Sequence, residues 1–149
     1  TRADGWVFCS KPLAIAGTLV EEISVEFRNG LAVSIHARKG HEVFEKLISG
    51  DEGARRLGEI ALVPNSSPIS ASNILFYSAL FDENAASHFA FGHAYGACLA
   101  APFETFEDVG ANTSTIHIDC MFGNALMNVD GVSKIGAVEP VMRAGEFVF

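Results

Sequence analysis

The chain has 149 residues, of which 49% are hydrophobic and 19% charged, and its formal net charge is -8. This length suits one domain with its own core, and the acidic charge argues against a nucleic-acid or anionic-membrane partner, which would need clustered Lys and Arg. The 12 phenylalanines add to a composition more apolar than that of a typical free-standing domain. No apolar run approaches the roughly 18 residues of a membrane span, so we expect another domain or subunit to cover the excess apolar surface.

The start of the chain and its cysteines both favour a cytoplasmic protein. The sequence begins at Thr1 without an initiator methionine or the basic and apolar regions of a secretory signal, so we interpret it as a piece of a longer polypeptide. Cys9, Cys98 and Cys120 are odd in number and show no Cys-x-x-Cys spacing. This pattern is typical of reduced cytosolic thiols rather than of a disulfide framework or a thiolate zinc site.

Alternating apolar and polar residues predict two paired strands on either side of Asn29-Gly30. A two-residue turn there would pair Phe27 with Ala32 and leave the two apolar sets on opposite faces of the hairpin. We therefore predict a three-residue loop, a type I turn followed by a bulge at Gly30, which pairs Phe27 with Leu31.

A helix and a further strand are predicted next. Residues 41–48 place their apolar side chains on one helical face, and Gly50 ends the helix. Residues 57–63 then predict a strand that stops before Pro64. Glu59 lies beside a wholly apolar run on this strand, and a buried carboxylate requires a compensating charge or a metal ion.

A polar loop over 65–73 leads to a predicted helix over about 79–94. This helix would carry His88 on the same stripe as Tyr95, two turns later. Glu83 lies five residues before His88 and about 140° away around a regular helix. The two side chains could therefore share a metal ion only if the helix began after Glu83.

A second loop, over 103–113, precedes a strand over 115–121 that holds an informative pair of residues. His117 and Asp119 are two apart on this strand, so an imidazole and a carboxylate point to the same face, about 6 to 7 Å apart at the backbone. A divalent metal ion of hard-to-borderline character accepts this mixture of nitrogen and oxygen ligands.

The tail predicts short strands, with turn signals at Asp130-Gly131 and Ala144-Gly145. Together the elements predict an α+β fold with a mostly antiparallel or mixed sheet and a few helices. No internal repeat or linker is evident, so residues 1–149 are interpreted as a single compact unit.

Five side chains are candidates for binding a metal ion, namely Glu59, Glu83, His88, His117 and Asp119. A histidine on an apolar helix is more often a hydrogen-bonded core residue than a ligand, and Asp119 could simply orient His117. The other three histidines are interpreted as structural or surface residues. Spacing alone leaves a metal site and a structural role about equally open, because no pair matches a short motif such as His-Glu-x-x-His.

Three long segments carry a resemblance to a known family. They read LGEIALVPNSSPIS at 57–70, LFYSALFDENAASH at 75–88 and IHIDCM at 116–121. In this order and spacing they resemble the thermophilic aminopeptidase family, of the aminopeptidase T, AmpS and PepS type. The resemblance extends over essentially the whole chain but covers only the C-terminal portion of that family. It implies a larger two-domain metallo-aminopeptidase, commonly dimeric, that uses two divalent ions, with zinc, cobalt or manganese as candidates.

The resemblance also implies roles for individual residues. It makes Glu59 a carboxylate that bridges the two ions and takes part in catalysis, and Tyr95 the active-site tyrosine. The remaining implied ligands are Glu83, His88, His117 and Asp119. In the implied mechanism a water shared by the two ions loses a proton and attacks the scissile carbonyl, while Tyr95 donates a hydrogen bond to the developing oxyanion.

One departure from the family pattern leaves two interpretations open. The family has a further metal-binding glutamate in a Gly-Glu-Val-Phe-Thr-like segment that would lie upstream of Thr1, so we expect an incomplete dinuclear site and an absent N-terminal domain. The chain is then either the catalytic portion of a metallo-aminopeptidase acting on peptides with a free N-terminus or, as it stands, an inactive structural and dimerisation fragment. The expected partners are the missing N-terminal domain and a second copy in a homodimer.

Overall fold

The computed structural model describes residues 2–100, 102 and 105–149, and short strands form most of its regular structure. The strands are β1 (Gly5–Phe8), β2 (Leu13–Ile15), β3 (Thr18–Val20), β4 (Ser24–Arg28), β5 (Leu31–His36), β6 (Leu57–Ala61), β7 (His88–Gly92), β8 (His117–Met121), β9 (Val129–Val132), β10 (Val138–Arg143) and β11 (Glu146–Phe147).

The helices are short. They are α1 (His41–Leu47), α2 (Pro68–Ser72) and α3 (Ala79–Asp82), with single 3₁₀ turns at Glu83–Ala85, Gly96–Cys98 and Glu107–Val109. Within the described ranges, no helix has both the length and the apolar character that crossing a membrane requires.

Every strand pair in the described part of the chain is antiparallel. The three-stranded sheets have the orders β1-β4-β5, β6-β7-β8 and β11-β10-β9, and β2 pairs with β3. The predicted α+β class, with a mostly antiparallel sheet and a few helices, is therefore confirmed.

The main core forms where β4, β7 and α1 meet. The ring of Phe27 in β4 lies 5.5 Å from that of Phe89 and 5.8 Å from that of Phe91, both in β7. Phe44 of α1 lies 5.8 Å from Phe91. Because successive side chains of a strand point to opposite faces, these phenylalanines commit one face of β7 to the core and leave His88, Ala90 and Gly92 on the other.

The β4–β5 hairpin differs from the prediction. The turn is the two-residue Asn29-Gly30 type, with φ of 50° and 75°, and Phe27 pairs with Ala32 rather than with Leu31. The register then shifts between Phe27 and Glu26, which leaves Val33 as an extra residue in β5. This bulge restores a common apolar face without the three-residue loop.

The predicted helix over 79–94 is wrong beyond its first turns. Helix α3 ends at Asp82 and a 3₁₀ turn ends at Ala85, after which His88 opens strand β7. The alternation of Phe89 and Phe91 with smaller residues has the period of a strand, and pairing on both sides with β6 and β8 outweighs local helix propensity.

Two other predictions need smaller corrections. The polar loop over 65–73 contains α2, whose N-terminus is capped by the Ser67 hydroxyl accepting a hydrogen bond from the Ser70 amide at 3.2 Å. Strand β6 ends at Ala61 and lies at the edge of its sheet, so Ile60 is 58% exposed instead of buried.

The remaining predictions agree in part. Helix α1 is confirmed, with Phe44 fully buried and its end at Leu47. Ala144-Gly145 forms the β10–β11 turn, whereas Asp130-Gly131 lies inside β9 and is not a turn. In the predicted loop over 103–113, positions 103 and 104 lie outside the described residues.

Candidate metal centre

The sheet β6-β7-β8 sets two of the candidate carboxylates in one row across the face opposite the main core. Glu59 of β6 pairs with Ala90 of β7, and Ala90 pairs with Asp119 of β8. Residues that face each other across an antiparallel pair share a face of the sheet. Ala90, which is fully buried, thus separates the two carboxylate-bearing residues with only a methyl group.

A bulge in β6 is what directs Glu59 into this row. Leu57 pairs with Phe91 and Glu59 with the next residue of β7, Ala90, so Gly58 is an extra residue in β6. Without the bulge, Leu57 and Glu59 would point to the same face, because they are two apart. The bulge lets Leu57 pack against the core while Glu59 faces the opposite side.

The two histidines flank the row on the same face. His88 Nε2 lies 3.3 Å from Glu59 Oε1 and 3.9 Å from Asp119 Oδ1. His117, which pairs with Gly92, has its Nε2 3.2 Å from Asp119 Oδ1. One potential ligand atom from each of Glu59, His117 and Asp119 lies within 4.8 Å of the others.

Both imidazole rings are held by backbone carbonyls through their other nitrogen. His88 Nδ1 lies 3.2 Å from the Ala86 carbonyl oxygen, and His117 Nδ1 lies 2.7 Å from that of His93. A carbonyl oxygen only accepts, so each Nδ1 carries the hydrogen and donates it. In a neutral ring Nε2 is then a bare acceptor.

These two bare acceptors point at carboxylate oxygens, which are acceptors as well. Two lone pairs that face each other at 3.2 to 3.3 Å need a positive group between them. A proton on Nε2 or a divalent cation meets this need, and fixing an imidazole through its second nitrogen is the usual way in which proteins orient histidine ligands. The donor set of this centre therefore fits a metal ion.

Glu83 approaches the same cluster from the 3₁₀ turn that follows α3. Burial is the main cause that raises the pKa of Glu83, and the neighbouring Asp119 carboxylate raises it further, while His88 opposes the shift. Asn84 Nδ2 donates to Glu83 Oε1 at 3.3 Å. The raised pKa of Glu83 thus reflects burial first and repulsion from the neighbouring carboxylate second, and a bound cation would relieve the second cause.

The negative charge of the cluster has few positive partners. Among residues 2–100, 102 and 105–149, Glu59 and Asp119 form ion pairs with histidines alone, and Glu83 forms none. The hydrogen bond to Asp119 is the main cause that raises the pKa of His117, and burial opposes it. A protonated His117 ring would thus partly offset the carboxylates when no cation is bound.

Tyr95 borders the centre beside His117. The two rings have centroids 4.4 Å apart, with an interplanar angle of 39°. Burial, followed by the charges of Asp119 and Glu59, raises the pKa of Tyr95, so its hydroxyl keeps its proton at neutral pH. Tyr95 lies beside His117 because it follows the end of β7, whose last residue, Gly92, pairs with His117, and it shares no helical stripe with His88.

The structure thus brings together all five side chains that the sequence proposed as ligands, together with Tyr95. Sequence reasoning missed the supporting backbone and the small residues, namely the Ala86 and His93 carbonyls, Gly58 and Ala90. The alternation of His88, Ala90 and Gly92 with phenylalanines was a signal for the strand that places them. The carbonyl contacts left no comparable signal, since they arise where separate segments meet.

Comparisons with known proteins agree with this picture. A family model described as thermophilic metalloprotease (M29) matches residues 1–147. Aminopeptidase T of Thermus thermophilus is 49% identical over 149 residues, which is 99% of this chain and 36% of that protein. Aminopeptidase AmpS of Bacillus subtilis is 44% identical over 150 residues, 98% of this chain and 37% of that protein.

A solved structure described as wild-type AmpT from Thermus thermophilus superposes with a TM-score of 0.92 at 49% identity. The match covers 98% of this chain and 36% of that one. The chain therefore spans little more than a third of the length of the relatives it matches.

Proposed function

This chain belongs to the thermophilic metalloprotease family M29, and from that membership we propose that it forms the metal-binding catalytic portion of a metallo-aminopeptidase. The complete protein would release the N-terminal amino acid from peptides that have a free N-terminus. Relatives that carry the name aminopeptidase support this activity.

The observation that carries the proposal is the arrangement of acceptors around Asp119. His88 and His117 each donate through Nδ1 to a backbone carbonyl and direct Nε2 towards a carboxylate. Each Nε2 then needs a positive group between it and the carboxylate, either a proton or a bound cation. This arrangement is favourable for a metal site.

Two divalent ions are proposed for the complete protein, and this chain would supply five of their ligands. Glu59, at the β6 end of the row, is the proposed bridging carboxylate, and the other ligands are Glu83, His88, His117 and Asp119. Imidazole nitrogens and carboxylate oxygens without thiolates suit zinc, cobalt or manganese. Bound divalent ions would polarise the scissile carbonyl and supply a hydroxide nucleophile at neutral pH.

The chain's own residues would then orient and stabilise the reacting groups. The carbonyls of Ala86 and His93 hold the two imidazoles in one tautomer. Tyr95, with its hydroxyl protonated, would donate a hydrogen bond to the oxyanion that develops on the substrate carbonyl. The net charge of -8 is compatible with attracting the amine of a substrate.

We also propose a cytoplasmic, homodimeric enzyme. The three cysteines are free thiols, as expected in a reducing compartment. Exposed apolar side chains, including Ile135 and Val138, offer surface that a second copy could cover.

Metal analysis combined with hydrolysis of aminoacyl p-nitroanilides by the complete protein tests the proposal. We expect Glu59→Gln and His88→Ala to lose bound metal and at least 100-fold in kcat/KM. His36→Ala, which changes an exposed histidine outside the centre, is the matched control and should change neither quantity. Full turnover and full metal content in the first two variants would refute the ligand assignment.

A further inference from the structure

Two cavities reach the metal centre from opposite edges of the sheet β6-β7-β8. The larger, of about 500 Å³, borders Glu59 at the β6 edge. The smaller, of about 60 Å³, borders His117 and Asp119 at the β8 edge. A peptide whose scissile bond lies over the row of ligands would therefore have space on either side of that bond.

The smaller cavity has an apolar wall and an acidic rim. Strand β2 supplies Leu13, Ala14 and Ile15 to the wall, while Asp119 and Glu83 line the side towards the metal centre. The N-terminal residue of a peptide carries two groups that match this arrangement, an amine and a side chain, both attached to the α-carbon. The amine would lie towards the metal centre while the side chain entered the apolar part.

The walls of this cavity are fixed by the fold. Leu13 is buried, and β2 is paired along its whole length with β3. On the other side, Asp82 accepts backbone hydrogen bonds from Phe76 at 2.8 Å and from Ser78 at 3.0 Å, which holds the first turn of α3 in place. The distance between β2 and Ala79 of α3 is therefore set by rigid elements, as discrimination by size requires.

The volume of the cavity indicates which side chains it admits. A water-sized group needs about 10 to 15 Å³ of such a cavity, so 60 Å³ holds roughly four to six of them. A leucine side chain, with its four carbons, matches this capacity, and smaller aliphatic side chains also fit. A phenylalanine or tryptophan side chain exceeds it unless Met121, at the edge of the cavity, moves aside.

The larger cavity has a mixed lining and much more space. Glu52, Arg56 and Asn112 line it beside apolar residues such as Leu57 and Val109, and its volume exceeds that of any single side chain. It suits the remainder of the peptide, which continues beyond the scissile bond with varied sequence. The smaller cavity is thus the one that can select the N-terminal residue.

We propose that the cavity between β2, α3 and β8 binds the side chain of the substrate's N-terminal residue and selects aliphatic side chains up to the size of leucine. Ala14 and Ala79, on opposite walls, determine this specificity because any larger residue there shortens the cavity. This inference rests on the proposed aminopeptidase function and adds the substrate class to it.

The test compares leucyl and alanyl p-nitroanilide as substrates of the complete, metal-loaded protein. Ala79→Leu and, independently, Ala14→Leu should lower kcat/KM for the leucyl substrate at least 10-fold more than for the alanyl one, since a few methylene groups are worth at least that much discrimination. Ala71→Leu makes the same substitution on the exposed face of α2 and should leave the ratio of kcat/KM for the leucyl substrate to kcat/KM for the alanyl substrate unchanged. Metal content and melting temperature show whether the variants fold and remain loaded.

Calorimetric titration with free L-leucine and L-alanine gives a second reading that does not depend on turnover. Ala79→Leu and Ala14→Leu should weaken leucine binding and spare alanine binding. If leucine binding and the substrate ratio both stay as in the unaltered protein, the specificity assignment is overturned even though the enzyme is active. If no aminoacyl substrate is hydrolysed but the variants still weaken leucine binding selectively, the aminopeptidase function fails and the binding cavity stands.

Discussion

Ala90 separates Glu59 from Asp119 with nothing larger than a methyl group. We expect Ala90→Leu to abolish tight zinc binding, because the added carbons would occupy the space into which the ligand side chains converge. Overpacking should also lower the free energy of unfolding by about 1–3 kcal/mol. Equilibrium dialysis against Zn²⁺ measures the first effect, and thermal denaturation followed by circular dichroism measures the second.

Ala90→Ser is the matched control for this experiment. Serine has nearly the same volume as alanine, so the space above the strand stays open and zinc binding should persist. A folded Ala90→Leu protein with undiminished zinc affinity would show that the ion does not lie over this residue.

The protonation of His117 should make the metal-free protein sensitive to pH. Its pKa is raised, chiefly by the hydrogen bond to Asp119, above the unfolded value of about 6.5. The protonated ring therefore stabilises the fold fully below about pH 6.5, and this contribution is lost as the pH rises through the folded-state pKa. Asp119→Asn should lower the pKa of His117, which NMR titration of the ring protons in metal-free protein will measure.

Metal binding should strengthen as the pH rises, whereas the stabilisation of the metal-free protein by His117 weakens. An ion coordinated by His117 Nε2 must displace the proton there, so zinc affinity should fall as the pH drops below the raised pKa of His117. Calorimetric titrations at several pH values, in buffers of different ionisation enthalpy, will also count the protons released. Zinc binding that releases no proton in this range would contradict ligation by His117.

At the scale of single residues, the sequence predicted which side chains would come together at the centre. It did not predict the backbone groups that orient them. His117 and Asp119 are two apart on a strand, and Glu59 stood out as a lone acid in an apolar run, so local pattern was sufficient. The carbonyls of Ala86 and His93 were beyond reach, because any residue type supplies a carbonyl and only the folded path of the chain brings it to an imidazole.

The bulge at Gly58 links the edge of β6 to the position of His117. A Cβ atom at this residue would overlap the Gly92 carbonyl and lie 2.8 Å from the His93 carbonyl oxygen. That carbonyl accepts the hydrogen bond from His117 Nδ1. The absence of a side chain at Gly58 is thus part of what positions a proposed metal ligand two strands away.

We expect Gly58→Ala to lower both stability and metal affinity. The methyl group would push the backbone at Gly92 and His93 outward and misalign His117, costing about 10-fold or more in zinc affinity, as losing a ligand's supporting contact typically does. Zinc titration and thermal denaturation test this. Gly50→Ala is the control, because a Cβ there meets only the Leu47 carbonyl at an ordinary 3.7 Å, and a loss of zinc affinity in that variant too would argue against the specific role of Gly58.

Elements were predicted well where periodicity was unambiguous and poorly where local signals competed. Helix α1 and strand β8 follow their patterns. The region of His88 was assigned to a helix because Glu83 and its neighbours favour a helix start, yet the helix ends after one turn. Pairing of β7 with β6 and β8 decides the outcome, and tertiary pairing of this kind overrides local propensity.

At the scale of the whole molecule, the sheet β9-β10-β11 presents apolar side chains to solvent. Val132 is 69% exposed, Ile135 92% and Val138 62%. Exposed β-hairpins with apolar side chains readily associate with other chains. The high apolar content noted in the sequence thus appears at the surface of this sheet as well as in the core.

We expect the double variant Ile135→Lys, Val138→Lys to reduce self-association of the complete protein. Placing two positive charges on this sheet introduces repulsion between copies and removes apolar contact area. Light scattering during size-exclusion chromatography measures the mass. Leu80→Lys, at an apolar residue 78% exposed elsewhere, is the control, and an unchanged dimer in the double variant would place the interface on another surface.

Family membership was the most secure result from sequence, because three long segments with specific order and spacing carried it. The M29 match over 1–147 confirms it. The overall α+β class followed from strand alternation and short turns. The packing of Phe27 against β7 and the order of strands in each sheet depend on contacts between distant segments, which no local pattern specifies.

The row from Glu59 through Ala90 to Asp119 has one consequence for how such a protein withstands heat. An ion held by residues of β6, β7 and β8 would cross-link three strands on the face of the sheet opposite the main core. Binding to the folded state only would add about 2.7 kcal/mol to its stability when free metal is at 100 times the dissociation constant. Heat resistance would then be partly a property of the surrounding medium, rising and falling with the metal supplied to it.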